Sequence, residues 1–343
     1  MTETPWTPGT ATAIGSMPGT DPYETTRLVA GELPGLTPLP ELPERGVGAD
    51  LLGRAAGLLL DLPVEVVPSG YRVAARAGRD QRRAVDLLRW DLDALQTISE
   101  TEGPLHTVKV QAAGPWTLSG GIELERGHRV LTDHGALRDF TESLIEGLIE
   151  HAGQVSARTG ARVLVQLDEP TLPAVLHGGL PTPSGYGHVP AVPEPEVQRL
   201  LSEVIDRLGA ATGSPVVVHC CASRPPVGLL RRAGAGAIAL DATGLDSMSA
   251  TLADELGEAW EEDLTLLLGL VPNVAPTREP TVRDLARPAQ EMAARLGFHR
   301  RMLAERSMPT PACGLGGAAP EWARRALRMA ADLGRLFRDE AEN

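Results

Sequence analysis

The chain is poor in the residues that staple or anchor a fold. Only three cysteines occur in 343 residues, and two of them, Cys220 and Cys221, are neighbours. Adjacent cysteines bridge only with strain, so a disulfide framework is excluded and reduced, metal-binding thiols are expected. Aromatic residues make up 3% of the chain. The core must therefore be filled by Leu, Val, Ile and Ala, which favours close packing of helices on a sheet. Lysine is nearly absent, and the positive charge is arginine. The balance of 32 basic against 45 acidic residues gives a net charge of −13; with no basic cluster interleaved with aromatics, it argues against nucleic acid as a partner. No apolar run approaches the roughly 18 residues of a membrane span. The N-terminus, Met1-Thr-Glu-Thr-Pro-Trp6, has neither a basic segment nor an apolar one behind it. A soluble, cytoplasmic protein with no membrane partner is the expectation.

What is present is a sharp local signal. In Pro215-Val-Val-Val-His-Cys-Cys-Ala222, three β-branched residues run into a histidine and two cysteines with no turn residue between them. This reads as a parallel strand covered on both faces and ending in metal-type ligands. Side chains alternate in extended chain, so His219 and Cys221 point one way and Cys220 the other. The third cysteine lies in Thr310-Pro-Ala-Cys-Gly-Leu-Gly-Gly317, where a short segment again gives way to glycine and then to a helix.

The same order of strand, chemistry and helix recurs along the chain. Residues 10–19 read as a first strand broken at Gly15, and residues 36–39 as a second, interrupted by prolines, that delivers Glu41 and Glu44. Residues 106–113 end at Gly114-Pro115. Residues 162–167 lead into Asp168-Glu169 and Pro170, which forbids the strand to continue. Strands are also expected at 236–241 and 264–271. Helical periodicity marks residues 50–60, 79–100, 137–156, 196–208, 248–256, 282–296 and 320–337. Residues 116–130 read as loop or broken helix, and the Gly/Pro-rich stretch 172–195 as a long loop. About eight strands, each reached through a helix, predict an α/β protein, a (β/α)8 TIM barrel forming one domain over residues 1–343, with an open doubly wound sheet as the alternative. The barrel is preferred because Ser16, Glu41, Gly114, Asp168, His219, Cys221, Asp241 and Cys313 all follow strands, and barrel strand ends share one face.

Zinc takes four ligands, and catalytic sites keep one position for substrate or water. His219, Cys221 and Cys313 supply one nitrogen and two thiolates, and Asp241, at the end of the next strand, adds an oxygen that substrate can displace. The plain alternative is that these are buried packing residues, since free cysteine is among the most buried types. Asp168 and Glu169 suit a substrate ammonium group; adjacent strand-end carboxylates point to opposite faces and do not flank a glycosidic bond. His177 and His188 read as solvated loop residues. Gly314–Gly317 lacks the Lys-Ser/Thr of a phosphate loop.

These residues, in this order, resemble the catalytic barrel of cobalamin-independent methionine synthase. Ile14-Gly-Ser-Met-Pro18 resembles the family's Ile-Gly-Ser motif, Gly114-Pro115 with Thr117 its Gly-Pro-x-Thr, and Leu167-Asp-Glu-Pro170 its Asp-Glu-Pro. His219-Cys-Cys221 resembles the family His-x-Cys, and Pro311-Ala-Cys-Gly-Leu315 its Asp-Cys-Gly-Leu. The resemblance implies that Ile14 and Ser16 hold an amino-acid carboxylate, that Asp168 holds its amino group, that Glu41, chosen over Glu44, completes amino-acid recognition, and that His219, Cys221 and Cys313 ligate Zn2+. The family's fourth ligand is a glutamate; the matching position is Asp241, one methylene shorter. The long enzymes carry a second, N-terminal barrel that helps to hold folate, for which 343 residues leave no room. The methyl donor is then expected to be a corrinoid protein or folate, with short relatives pointing away from folate to a methyl-corrinoid protein or another small donor.

The implied reaction moves a methyl group to the thiol of homocysteine, giving methionine. Such a thiol, with a pKa near 8.5, is mostly protonated at neutral pH, and zinc acting as a Lewis acid removes the proton. Asp168 and His219 are the expected catalytic residues. Two alternatives stand beside this reading. One is zinc-dependent transfer to another thiol or from another donor; the other is a metal-free, decarboxylase-like or binding barrel.

Overall fold

A computed structural model of the chain describes residues 5–182 and 185–342. Met1–Thr4 of the N-terminal reading and residues 183–184 of the Gly/Pro-rich stretch lie outside the described residues.

Among the described residues there are ten strands: β1 (Thr37–Pro38), β2 (Val64–Val67), β3 (Gly70–Val73), β4 (Thr107–Ala113), β5 (Ile122–Glu123), β6 (Arg162–Asp168), β7 (Val217–His219), β8 (Ala237–Asp241), β9 (Thr265–Val271) and β10 (Ser307–Pro311). Seven of them make one parallel sheet in the order β1-β4-β6-β7-β8-β9-β10. Helices connect its neighbours, as parallel pairing requires. The longest of these are Arg79–Thr101, His134–Thr159 and Glu194–Thr212, and a further long helix, Pro320–Glu342, follows β10. No helix among the described residues is long and apolar enough to cross a membrane.

The period-2 alternation of the strands divides the interior in two. Val216, Val218, Cys220, Ile238, Leu240, Leu266 and Leu268 join the large apolar cluster that also holds the helices' buried faces. The intervening residues, Leu164, Val217, Ala237, Ala239 and Leu267, form a small second cluster on the other face with Ile14, Leu36 and Met308. That second face turns polar toward the C-terminal strand ends, where Lys109, Gln111, Gln166, Asp168 and His219 are all buried. Parallel register sets Ala113 beside Asp168 and Asp168 beside His219.

The expected first strand, residues 10–19, is not formed. Residues 10–15 form no regular strand, and Ser16 makes an isolated bridge to Glu41. Gly15 and Pro18 interrupt the run, so the segment is held by single bonds: Thr12 N donates to Pro309 O (3.2 Å) in β10, Thr12 Oγ1 to Leu36 O (2.9 Å), and Met17 N to Glu41 O (2.8 Å). The structure thus shows a seven-stranded parallel α/β sheet where the sequence predicts eight strands. Residues 61–74, without a predicted element, form the β2–β3 hairpin, which pairs with β5 in a small sheet. The loop-like stretch after Gly114 opens as a helix, Pro115–Gly121, and the 172–195 stretch opens as another, Leu172–His177.

Candidate metal centre

β7 is only three residues long and delivers His219 as its last residue, with Cys221 two positions beyond. β10 ends at Pro311, and Cys313 follows it by the same interval. The ligand atoms of His219, Cys221 and Cys313 all lie within 4.8 Å of one another. The two sulfurs are 2.9 Å apart, and all three cysteines are free. His219 is 3% exposed, and its Nε2 is buried without a hydrogen-bond partner. A buried imidazole nitrogen left unpaired is costly unless something else satisfies it. One nitrogen and two sulfurs at this spacing are the donor set that zinc prefers, with a fourth position open. The residues therefore fit the metal.

The other side of the ring explains its orientation. His219 Nδ1 lies 2.8 Å from Asp168 Oδ1. The carboxylate holds a proton on Nδ1 and so presents Nε2 as the nitrogen that a metal would take in exchange for its proton, the usual partner arrangement of a ligating histidine. Burial pulls the His219 pKa down, but the bond to Asp168 and the nearness of Cys313 outweigh it, raising the pKa to about 9. The cysteines divide one proton between them. The Cys221 hydrogen bond, opposed by burial and aided by His219, lowers Cys313 to about 5, while the Cys313 contact and burial push Cys221 up. Cys220 points to the outer face, and burial raises it to about 12, so it stays a thiol.

The carboxylates sort by surroundings. Glu169 is fully buried and accepts from Trp116 N (3.0 Å), Thr117 N (2.8 Å) and Thr117 Oγ1 (2.7 Å). It caps the Pro115–Gly121 helix, so the Gly-Pro-x-Thr and Asp-Glu-Pro motifs are two halves of one contact. Burial raises its pKa to about 7 against those bonds. Glu41 is buried and Glu44 exposed. Behind Glu41 stand Arg54 (3.5 Å) and, beyond it, Asp91 and Arg45, all buried or nearly so. Burial raises Glu41 to about 7, with Arg54 opposing. Ser16 Oγ accepts from Gly316 N (3.4 Å), and Leu315 N donates to Ser16 O (2.8 Å), so the Cys313 loop and the Ile14–Ser16 segment are in contact. A side chain at Gly314 would run into Ser16 Oγ, which is why that position has none.

Asp241 is not brought to the group. It is exposed, and its Oδ1 accepts from Thr243 N (2.8 Å) and Thr243 Oγ1 (2.6 Å). The short side chain closes a local turn instead of reaching inward. His177 and His188 are exposed. Sequence reading passed over two buried residues, Lys109 and Gln166. Lys109 is the only lysine in the chain, and that rarity inside a strand was the available signal.

Comparison with known proteins places the chain in a family. The family model described as "Cobalamin-independent synthase, Catalytic domain" matches residues 9–335. Among solved structures, a B12-independent methionine synthase from Shewanella sp. W3-18-1, in complex with selenomethionine, aligns with a TM-score of 0.57 and 12% identity over 98% of both chains. A methyltransferase from Methanosarcina mazei aligns with a TM-score of 0.54 and 17% identity, over 97% of this chain and 94% of that one. No curated protein sequence matches. The chain belongs to the cobalamin-independent synthase family, matching its catalytic domain over nearly its whole length, and is a methyltransferase.

Proposed function

We propose that this methyltransferase methylates the thiol of homocysteine to give methionine, with zinc held by His219, Cys221 and Cys313. The observation that carries the reading is the buried, unpartnered Nε2 of His219 beside two sulfurs 2.9 Å apart. Zinc, when bound there, supplies Lewis acidity that keeps a substrate thiol as thiolate at neutral pH. His219 is held in the ligating tautomer by Asp168, and Cys221 and Cys313 give up their shared proton to bind. Ser16 and the backbone at Ile14 receive the substrate carboxylate. Glu41 and the second oxygen of Asp168 face its ammonium group, and Arg54 keeps Glu41 in place. The segment 10–17, bonded to both β10 and the β1 region, completes the sheet as a (β/α)8 barrel in one domain and sets that carboxylate site next to the metal ligands.

The donor we assign is of the folate type. A corrinoid protein, the other donor expected from the sequence, is set aside because the family is the cobalamin-independent one. A second reading keeps the zinc chemistry with another acceptor thiol; it would need Asp168 to be taken up entirely by protein partners, whereas only its Oδ1 accepts, from His219 and from Gln166.

The test is metal analysis of the purified protein with X-ray absorption before and after homocysteine. About one zinc per chain that gains a sulfur neighbour is expected. Zinc with unchanged coordination would point to the other thiol, and no zinc would reject the reading. Cys313→Ser is expected to remove the metal and the activity together; full activity without zinc would overturn the mechanism.

A further inference from the structure

Lys109 is the only lysine among 343 residues, and it is 0% exposed in the middle of β4. Thirty-one arginines meet every other need for a cation, and arginine is the cation that buries with least change of protonation. Burial works against the Lys109 charge and pulls its pKa to about 7, with Asp168 and Glu41 opposing. An expensive group kept at this position calls for an account of what it holds.

Its ammonium makes two hydrogen bonds. Nζ donates to Gln166 Oε1 (2.6 Å) and to Ile14 O (2.9 Å). Gln166, also 0% exposed, then donates from Nε2 to Asp168 Oδ1 (2.7 Å) and to Ile14 O (2.9 Å). Asp168 Oδ1 receives His219 Nδ1 at 2.8 Å. The donors all run in one sense: Lys109 gives to the Gln166 carbonyl, so the amide must present its N–H groups to Asp168. An amide is nearly symmetric in shape, and its orientation is set by its partners alone. Here the Lys109 ammonium, which only donates, fixes the oxygen end of the amide, in agreement with the Asp168 carboxylate and the Ile14 carbonyl, which only accept, at its nitrogen end. Were the amide reversed, its oxygen would meet the Asp168 carboxylate. The same two donors converge on the carbonyl of Ile14, which leads into Gly15 and Ser16.

We propose that Lys109 is a positioning residue, which sets the Gln166 amide and thereby ties the Ile14–Ser16 segment to the Asp168–His219 pair that aims a nitrogen at the metal. The assignment rests on the zinc reading above and deepens it. One buried cation orders both halves of the site, the amino-acid half through Ile14 and the thiol half through Asp168 and His219. Lys109 touches neither substrate nor metal.

The test uses the full chain and the metal alone, by competition for Zn2+ with a chromophoric chelator under reducing conditions. Partners behind a ligating histidine are worth about 10- to 100-fold in metal affinity. Lys109→Met and Gln166→Met are each expected to weaken zinc binding by about tenfold, while folded protein is verified by circular dichroism. In the Co2+-loaded protein both variants should shift the ligand-field bands, which a loss of global stability alone does not move. Wild-type affinity and an unchanged Co2+ spectrum in the folded variants would overturn the assignment while leaving the zinc reading intact. A wild-type chain that takes no Zn2+ would overturn both. If Lys109→Met does not fold, Gln166→Met decides, since it breaks the same line without leaving the lysine's site apolar.

Discussion

Asp241 is where strand position and side-chain direction part. By alternation with Ala237 and Ala239 it starts on the inner face, yet its carboxylate folds back onto Thr243 in a local turn and stays exposed. One more methylene would free the carboxylate from that turn; aspartate is the length that closes it. Under the proposed zinc reading, the ligand set would be one nitrogen and two sulfurs, with the fourth position left to the substrate thiol. Asp241→Asn keeps the turn acceptor and removes the charge. It is expected to retain about one zinc per chain and activity within about threefold of wild type, the range of a surface change. Metal analysis and a rate assay check this; loss of zinc would mean that the carboxylate swings inward to bind. Cys220 gives the complementary case. It is buried on the outer face with its thiol raised to about 12, so Cys220→Ala should leave zinc content unchanged.

The contact between the Glu169 carboxylate and the Pro115–Gly121 helix joins β4 to β6 at their C-terminal ends. Gly114 permits it, because a Cβ there would overlap the Glu169 carboxylate and come within 2.8 Å of its Cγ. Gly114→Ala must push that side chain off three donors or bend the helix start. A cost of about 1–3 kcal/mol is expected, as for overpacking elsewhere in cores. Denaturant unfolding measures it, and a change below about 0.5 kcal/mol would show that the cap adjusts freely. This element also marks how far the sequence could be read. Gly114-Pro-Trp-Thr and Asp-Glu-Pro were visible as motifs, but their mutual contact spans 52 residues and has no local trace. Strands with β-branched runs, such as 162–168 and 217–219, were legible because both faces are covered and the apolar signal is continuous. Residues 10–19 carry a strand-like pattern in the sequence, and Ala11, Ala13 and Ile14 are buried, but burial alone does not give a ladder of hydrogen bonds, and Gly15 and Pro18 interrupt the run. His219, Cys221 and Cys313 stood out as residue types. Lys109 and Gln166 did not, since their role depends on the parallel register that sets Gln111 beside Gln166 and Lys109 beside Leu164, two pairs earlier.

At the scale of the whole molecule, the buried ionisable groups make stability depend on pH in opposing ways. Glu41 and Glu169 have pKa values raised to about 7 by burial. Each is bound to its proton more tightly in the fold, so its contribution is full below the unfolded value and is lost as pH rises through about 7. His151, buried in the His134–Thr159 helix, runs the other way. Burial first, then the Arg54 charge, lowers its pKa to about 4. The unfolded chain takes up a proton near pH 6.5 that the fold refuses until about pH 4, so stability falls as pH drops through this window. A displacement of this size corresponds to roughly 3 kcal/mol, fully present above pH 6.5 and gone below about 4. The carboxylates mask it in the wild-type curve, so the difference between two chains must be followed. His151→Gln cannot take up the proton in either state. Relative to wild type it is expected to gain up to roughly 3 kcal/mol as pH is lowered from 7 to 4, whatever its offset at pH 7. Urea unfolding of both proteins at half-unit steps of pH gives that difference directly. A constant gap between the two curves would show that His151 accepts its proton inside the fold, and that the Arg54–Asp91 cluster beside it is open to water.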